Sequence, residues 1–119
     1  MKVALGGRLM PSRLIEQFCE HAKQYGAATL VGDDQRTNTL YEEIRNCLKL
    51  INEAGLIAEL YPCLTAADDY IVLWAAFQLL ATDREAAVYA LEGLAKKPSP
   101  AGFDAKMTLK EFLAGRLRI

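Results

Sequence analysis

Between Tyr70 and Thr82 the chain reads YIVLWAAFQLLAT, thirteen residues without a charge, bracketed by Asp68-Asp69 and Asp83-Arg84-Glu85. A helix at a protein surface keeps one polar face, so a helix apolar nearly all round must be enclosed by other protein. At about 1.5 Å per residue this run spans roughly 20 Å, short of the ~30 Å hydrocarbon core of a bilayer. The pattern predicts a buried central helix over about Asp69–Ala81, capped by Asp68 or Asp69, with Trp74 and Phe77 as core aromatics.

On either side the apolar positions recur with helical spacing. Leu14, Ile15, Phe18, Cys19, Ala22 and Tyr25 predict a first helix over about Ser12–Tyr25, interrupted at Gly26, with Ala27–Val31 adding a turn. Leu40, Ile44, Cys47, Leu48, Ile51 and Ala54 predict a second over Thr37–Ala54, closed by Gly55. A short helix over Leu56–Cys63 is curtailed by Pro62. Asp83–Lys96 follows, with Ala86, Ala87, Ala90, Leu91, Leu94 and Ala95 inward, and Pro98-Ser99-Pro100 stops it. The last helix, about Ala101–Leu117, presents Phe103, Met107, Leu109, Phe112 and Leu113 as its apolar residues. No segment alternates with period two. The pattern is that of an all-α chain of about six helices, and short connections predict antiparallel helical hairpins stacked as in an α-solenoid. No repeat of fixed period is visible. Residues 1–10 lack a clear period and read as an extended or disordered leader, leaving 11–119 as a single helical domain.

Composition narrows the functions open to such a domain. The chain of 119 residues is 52% apolar and 24% charged, with a net charge of −1, so no overall field draws it to nucleic acid or acidic membrane. The charge is nonetheless uneven. Residues 1–95 carry eight Lys/Arg against thirteen Asp/Glu, while residues 96–119 carry six against two. Lys and Arg near helix ends complement the macrodipole, which is the ordinary reading of Lys96/Lys97 and Arg116/Arg118. Cys19, Cys47 and Cys63 are odd in number and widely separated, which predicts thiols in a reducing, cytoplasmic setting rather than a disulfide framework.

The residues that could carry chemistry do not form a constellation. His21 is the only histidine, and its helical neighbours Gln17, Phe18, Gln24 and Tyr25 include no acid to orient it. Cys19 points to another side of the same helix. Three cysteines and one histidine lack the close pairing of a structural zinc site. Gly6-Gly7-Arg8 does not match a phosphate loop. Asp33-Asp34 and Asp68-Asp69 precede helices, where Asp caps free amides. No catalytic residue, metal or cofactor is expected.

Several stretches carry a family resemblance: YEEI at Tyr41–Ile44, EAGLIAELYPCL at Glu53–Leu64, VLWAAFQLLATDREAAVYALEGLA at Val72–Ala95, and GFDAKMTLKEFLAG at Gly102–Gly115. Over Tyr41–Leu113, with Ser12–Gly32 fitting a weaker first helix, the chain resembles the bacterial family catalogued as domain of unknown function 2019. The residues before Ser12 depart from that pattern. The resemblance implies a HEAT-like, right-handed α–α superhelix, bacterial and cytoplasmic, with no known enzymatic activity. It implies a partner-binding role of the adaptor or immunity type.

The expected function is therefore a non-enzymatic protein–protein interaction domain with no membrane association. The acidic excess over residues 1–95 favours a basic protein partner over nucleic acid. It marks Asp33, Asp34, Glu42 and Glu43 as the candidate partner-binding residues, with Lys106 and Lys110 on the last helix as a lesser surface. The alternative is a nucleic-acid-binding helical repeat that uses the basic C-terminal segment.

Overall fold

A computed structural model describes residues 2–117 of the chain, with side chains from Arg13 onward. Five α-helices and one 3-10 helix make up the regular structure of these residues, and no strand occurs among them: α1 (Lys2–Leu30), α2 (Asp34–Glu53), a 3-10 segment (Ile57–Thr65), α3 (Asp69–Leu79), α4 (Arg84–Ala95) and α5 (Pro100–Leu113). The protein is all-α, as the periodicity predicts. Its contacts gather into two compact units, residues 1–60 and 61–119.

In the first unit α1 packs along α2. The pairs Gln24–Arg36 and His21–Glu43 run in opposite numerical sense on the two helices, which makes them antiparallel. Two expected breaks in α1 do not occur. The helix starts at Lys2, so residues 2–10 are helical backbone where a leader is predicted; Met1 lies outside the described residues. No Ser, Thr, Asp or Asn precedes Ser12 to punctuate a later start. Gly26 is buried within the helix, where the cost of a glycine is only about 1 kcal/mol relative to Ala. The true stop is Gly32. Its φ of +72° lets the Gly32 N–H reach the Thr29 carbonyl at 3.1 Å and the Asp33 N–H reach Ala28 at 3.0 Å. This is a Schellman closure, which a side chain at that φ would strain.

Asp33 then opens α2 one turn before the expected start at Thr37. Its carboxylate accepts the Arg36 N–H at 3.1 Å. The inward stripe of α2 is as predicted, with Leu40, Ile44, Cys47, Leu48 and Ile51 buried, except that Ala54 is exposed. Gly55 closes the helix as expected, at φ +73°. The next segment, which contains Pro62, winds as a 3-10 helix. Proline has no N–H to donate and its ring collides with the carbonyl four residues back, which disfavours α-helix. The Glu59 N–H bonds instead to Leu56 at 2.9 Å.

In the second unit α3 is buried around most of its circumference: Tyr70–Ala76 and Leu79 are all buried, leaving Asp69, Phe77 and Gln78 partly accessible. Trp74 and Phe77 meet edge to face at 6.2 Å. Asp68 caps the helix through the N–H groups of Tyr70 and Ile71. Helix α4 packs on both α3 and α5. Lys97 reaches Asp69 at 2.7 Å, and the Arg84 guanidinium lies over the Phe112 ring at 5.2 Å, so α4 is antiparallel to each.

The orientation of α5 divides the apolar residues that the sequence marks on it. Ala101, Gly102 and Ala105 are its buried residues. Of the five apolar residues that the pattern picks out on this helix, Phe103 (61%), Met107 (38%) and Leu113 (64%) are exposed, while Leu109 and Phe112 are half-buried. Gly102 has no side chain to hold the helices apart and lies against the Leu94 and Lys97 carbonyls at the end of α4. The small residues of α5 thus allow a close backbone approach, while Phe103, Met107 and Leu113 are turned outward.

Candidate binding groove

Of the four acidic residues expected to form a recognition surface, two already have partners within the fold. Asp33 is spent on capping α2. Glu43 turns toward α1, where its Oε1 lies 3.4 Å from His21 Nδ1. Glu43 also adds to the burial that pushes the Cys47 thiol up, keeping that thiol protonated. All four are exposed, and Asp34 and Glu42 have no ion-pair partner among the described residues. These last two are eight positions apart, about 12 Å along the axis and roughly 80° around it at 100° per residue. The His21–Glu43 pair escapes sequence reading because its partners lie on different helices, 22 positions apart.

The basic segment is also partly committed. Lys97 is bound to Asp69, and Arg116 grips Glu111 through Nε at 2.8 Å and a second nitrogen at 3.1 Å. Arg118 lies outside the described residues. Lys106 and Lys110 are exposed on α5, as expected.

The cysteines are thiols, not disulfides; Cys47 and Cys63 are buried and Cys19 is half-buried. Among the described residues no three His, Cys, Asp or Glu side chains converge as a metal site. No helix among them is long and apolar enough to cross a membrane.

What the second unit does form is an open groove of about 450 Å³ between the latter part of the 3-10 segment, α3 and α4. Its surface follows from local sequence. Ala86, Ala90 and Gly93 recur at helical spacing along α4, so that side of the helix is nearly bare backbone and methyl groups. Leu64 and Val72 supply the opposite wall, and Leu94 continues the apolar lining. Two tyrosines edge this surface: Tyr61, 40% exposed, and Tyr89, 80% exposed. The Asp69–Lys97 ion pair closes one end.

One carboxylate fixes the geometry of the groove wall. Asp83 caps α4 by accepting the Ala86 N–H at 3.2 Å on Oδ1, and it accepts the Tyr61 hydroxyl at 2.6 Å on Oδ2. The 3-10 segment is thereby tied to the start of α4. The Tyr61 hydrogen bond, followed by that of the Ala86 N–H, holds the Asp83 carboxyl below its ordinary 3.8. The same bond raises the Tyr61 phenol above its ordinary 10.0 by favouring the protonated form. A carboxyl depressed in the folded state stabilises the fold above its unfolded pKa. That contribution is lost as pH falls through the folded value. Asp83→Asn keeps a capping oxygen but not the charge. Wild type should therefore melt above this variant near neutral pH, and the gap should close in acid titration below 3.8. A constant gap across that range would show that the charge of Asp83 contributes nothing to the tie.

Chemically the groove offers apolar contact, phenol edges and one ion pair. It holds no nucleophile–base pair. It can desolvate an apolar side chain or helix face while the tyrosines stay wet at the rim. Sequence periodicity assigns Ala86 and Ala90 to the core; the available signal for a groove was Tyr89 and Gly93 set among small residues in an otherwise strong helix. No protein-family model matches this chain, and no curated protein or solved structure matches it either.

Proposed function

We propose that the protein is a non-enzymatic protein-binding domain whose partner seats an apolar segment in the groove between the 3-10 segment, α3 and α4. The carrying observation is the apolar groove of about 450 Å³ with Tyr89 standing 80% exposed at its edge. Tyrosine presents a large contact area at low entropic cost, and it is enriched where protein surfaces meet. The resemblance to domain of unknown function 2019 supports the same reading. It adds a HEAT-like α–α superhelix, a bacterial cytoplasmic setting, and a role as adaptor or immunity-type protein. The acidic excess over residues 1–95 favours a basic partner, through long-range attraction rather than a dedicated acidic site.

Gly93 supplies the test. A Cβ there meets nothing within 4 Å, so Gly93→Arg can lay its side chain over the groove that Gly93 lines. Exchanging a helical glycine for arginine should also stabilise α4 by roughly 0.5–1 kcal/mol. The immobilised variant is expected to melt at or above wild type yet lose the protein that wild type retains from an extract of the source cells. Reversing Asp33, Asp34, Glu42 and Glu43 to lysine is expected to slow capture but leave the same protein bound. Retention of the partner by Gly93→Arg would sink the groove reading. If wild type instead retains nucleic acid at physiological salt, with a steep salt dependence, the basic C-terminal segment is the functional surface.

A further inference from the structure

The exposed acids of α4 and the exposed lysines of α5 leave opposite charges on the outward positions of the hairpin. Arg84 of α4 lies over Phe112, and Asp104 and Glu111 of α5 are half-buried, Glu111 held by Arg116. On α4, Glu85 and Glu92 flank Tyr89, and with Arg84 and Val88 they line one shallow depression. On α5, Lys106 and Lys110 lie beside the exposed Phe103, Met107 and Leu113. No salt bridge among the described residues engages Glu85, Glu92, Lys106 or Lys110. The positions on α4 point away from Ala90 and Leu94, which face the groove and core. Those on α5 point away from the buried Ala101 and Ala105.

We propose that this hairpin face docks on the same face of a second copy of the chain, with α4 of each copy lying over α5 of the other. A two-fold interface must be self-complementary, and this face is so in one arrangement only. Placing α4 over α4 would set Glu85 and Glu92 against themselves and lysine against lysine. A two-fold axis parallel to the helices instead puts acid over base. The pairing within the hairpin fixes the register. Arg84 at the start of α4 lies by Phe112 near the end of α5, and the end of α4 lies by Gly102. Glu92 therefore falls over Lys106 of the second copy, and Glu85 over Lys110. Phe103, Met107 and Leu113 of each copy are covered in the same step, which removes the largest apolar exposure on α5 from water. Tyr89 borders both this face and the groove, but the dimer forms without any further partner, so its test is independent of the groove.

The experiment is sedimentation equilibrium of the purified full chain, with two charge variants. One carries Glu85→Lys and Glu92→Lys; the other carries Lys106→Glu and Lys110→Glu. Wild type is expected to be dimeric, and each variant to dimerise at least about tenfold more weakly because every cross-pair becomes repulsive. Mixed one to one, the two variants should form a heterodimer, since all-lysine and all-glutamate faces are complementary. A wild type that stays monomeric to millimolar concentration overturns the proposal. So does a mixture that remains monomeric while both variants keep wild-type circular dichroism, or a variant whose dimerisation matches wild type.

Discussion

Leu73→Asp and Leu80→Asp are each expected to abolish the cooperative thermal transition of the protein. Leu73 is 9% accessible and Leu80 4%. Asp69 and Phe77, one turn to either side of Leu73, are themselves only partly accessible, so a carboxylate at position 73 has no open surface to turn toward. Burying an unpaired charge costs several kcal/mol, against a total stability of roughly 5–15 kcal/mol for a domain. Circular dichroism melts of the two variants check this. Trp74, 8% accessible, provides a second readout, because its emission should shift to the red as the core opens to water. Wild-type melting in either variant would mean that α3 is not enclosed.

Gly102→Ala is expected to lower the melting temperature, against the usual sense of a glycine-to-alanine change in a helix. Alanine is favoured over glycine by about 1 kcal/mol in a helix interior. Here, however, the added Cβ would overlap the Lys97 carbonyl oxygen and lie 2.9 Å from that of Leu94. Both are backbone atoms, and the Leu94 carbonyl also accepts the Lys97 N–H at 3.0 Å. Neither can rotate away as a side chain would, so relief requires α5 to move off α4. Overpacking of this kind costs roughly 1–3 kcal/mol net, and a domain of this order loses about 4–8 °C per kcal/mol. Gly93→Ala is the control, since its Cβ meets nothing within 4 Å and should raise the melting temperature. The opposite response of two glycines nine positions apart would show that backbone approach, not propensity, governs the α4–α5 contact.

That contact also bears on recognition. Because the small residues of α5 make the close approach, Phe103, Met107 and Leu113 face outward, on the surface proposed above for a second copy. Widening the α4–α5 spacing in Gly102→Ala should therefore weaken self-association as well as stability.

Local sequence determined the helices themselves. The charge-free run around Trp74, the capping carboxylates at Asp68 and Asp83, and Gly55 at the end of α2 each act within a few residues, through burial, hydrogen bonding or a positive φ. Their effect can therefore be read from neighbours in the chain. The inner stripe of α2 is legible for the same reason, because a single 3.6-residue period selects Leu40, Ile44, Cys47, Leu48 and Ile51. Tertiary structure decided what depends on residues far apart. Periodicity marks which residues of α5 are apolar, but only the approach allowed by Gly102 decided that Phe103 and Met107 face out. The capping role of Asp33 is legible from its place before a helix, but the approach of Glu43 to His21 joins two helices and is not. The groove exists because Tyr61 on one element and Asp83 at the head of another are hydrogen-bonded across 22 positions, a pairing that no local pattern encodes.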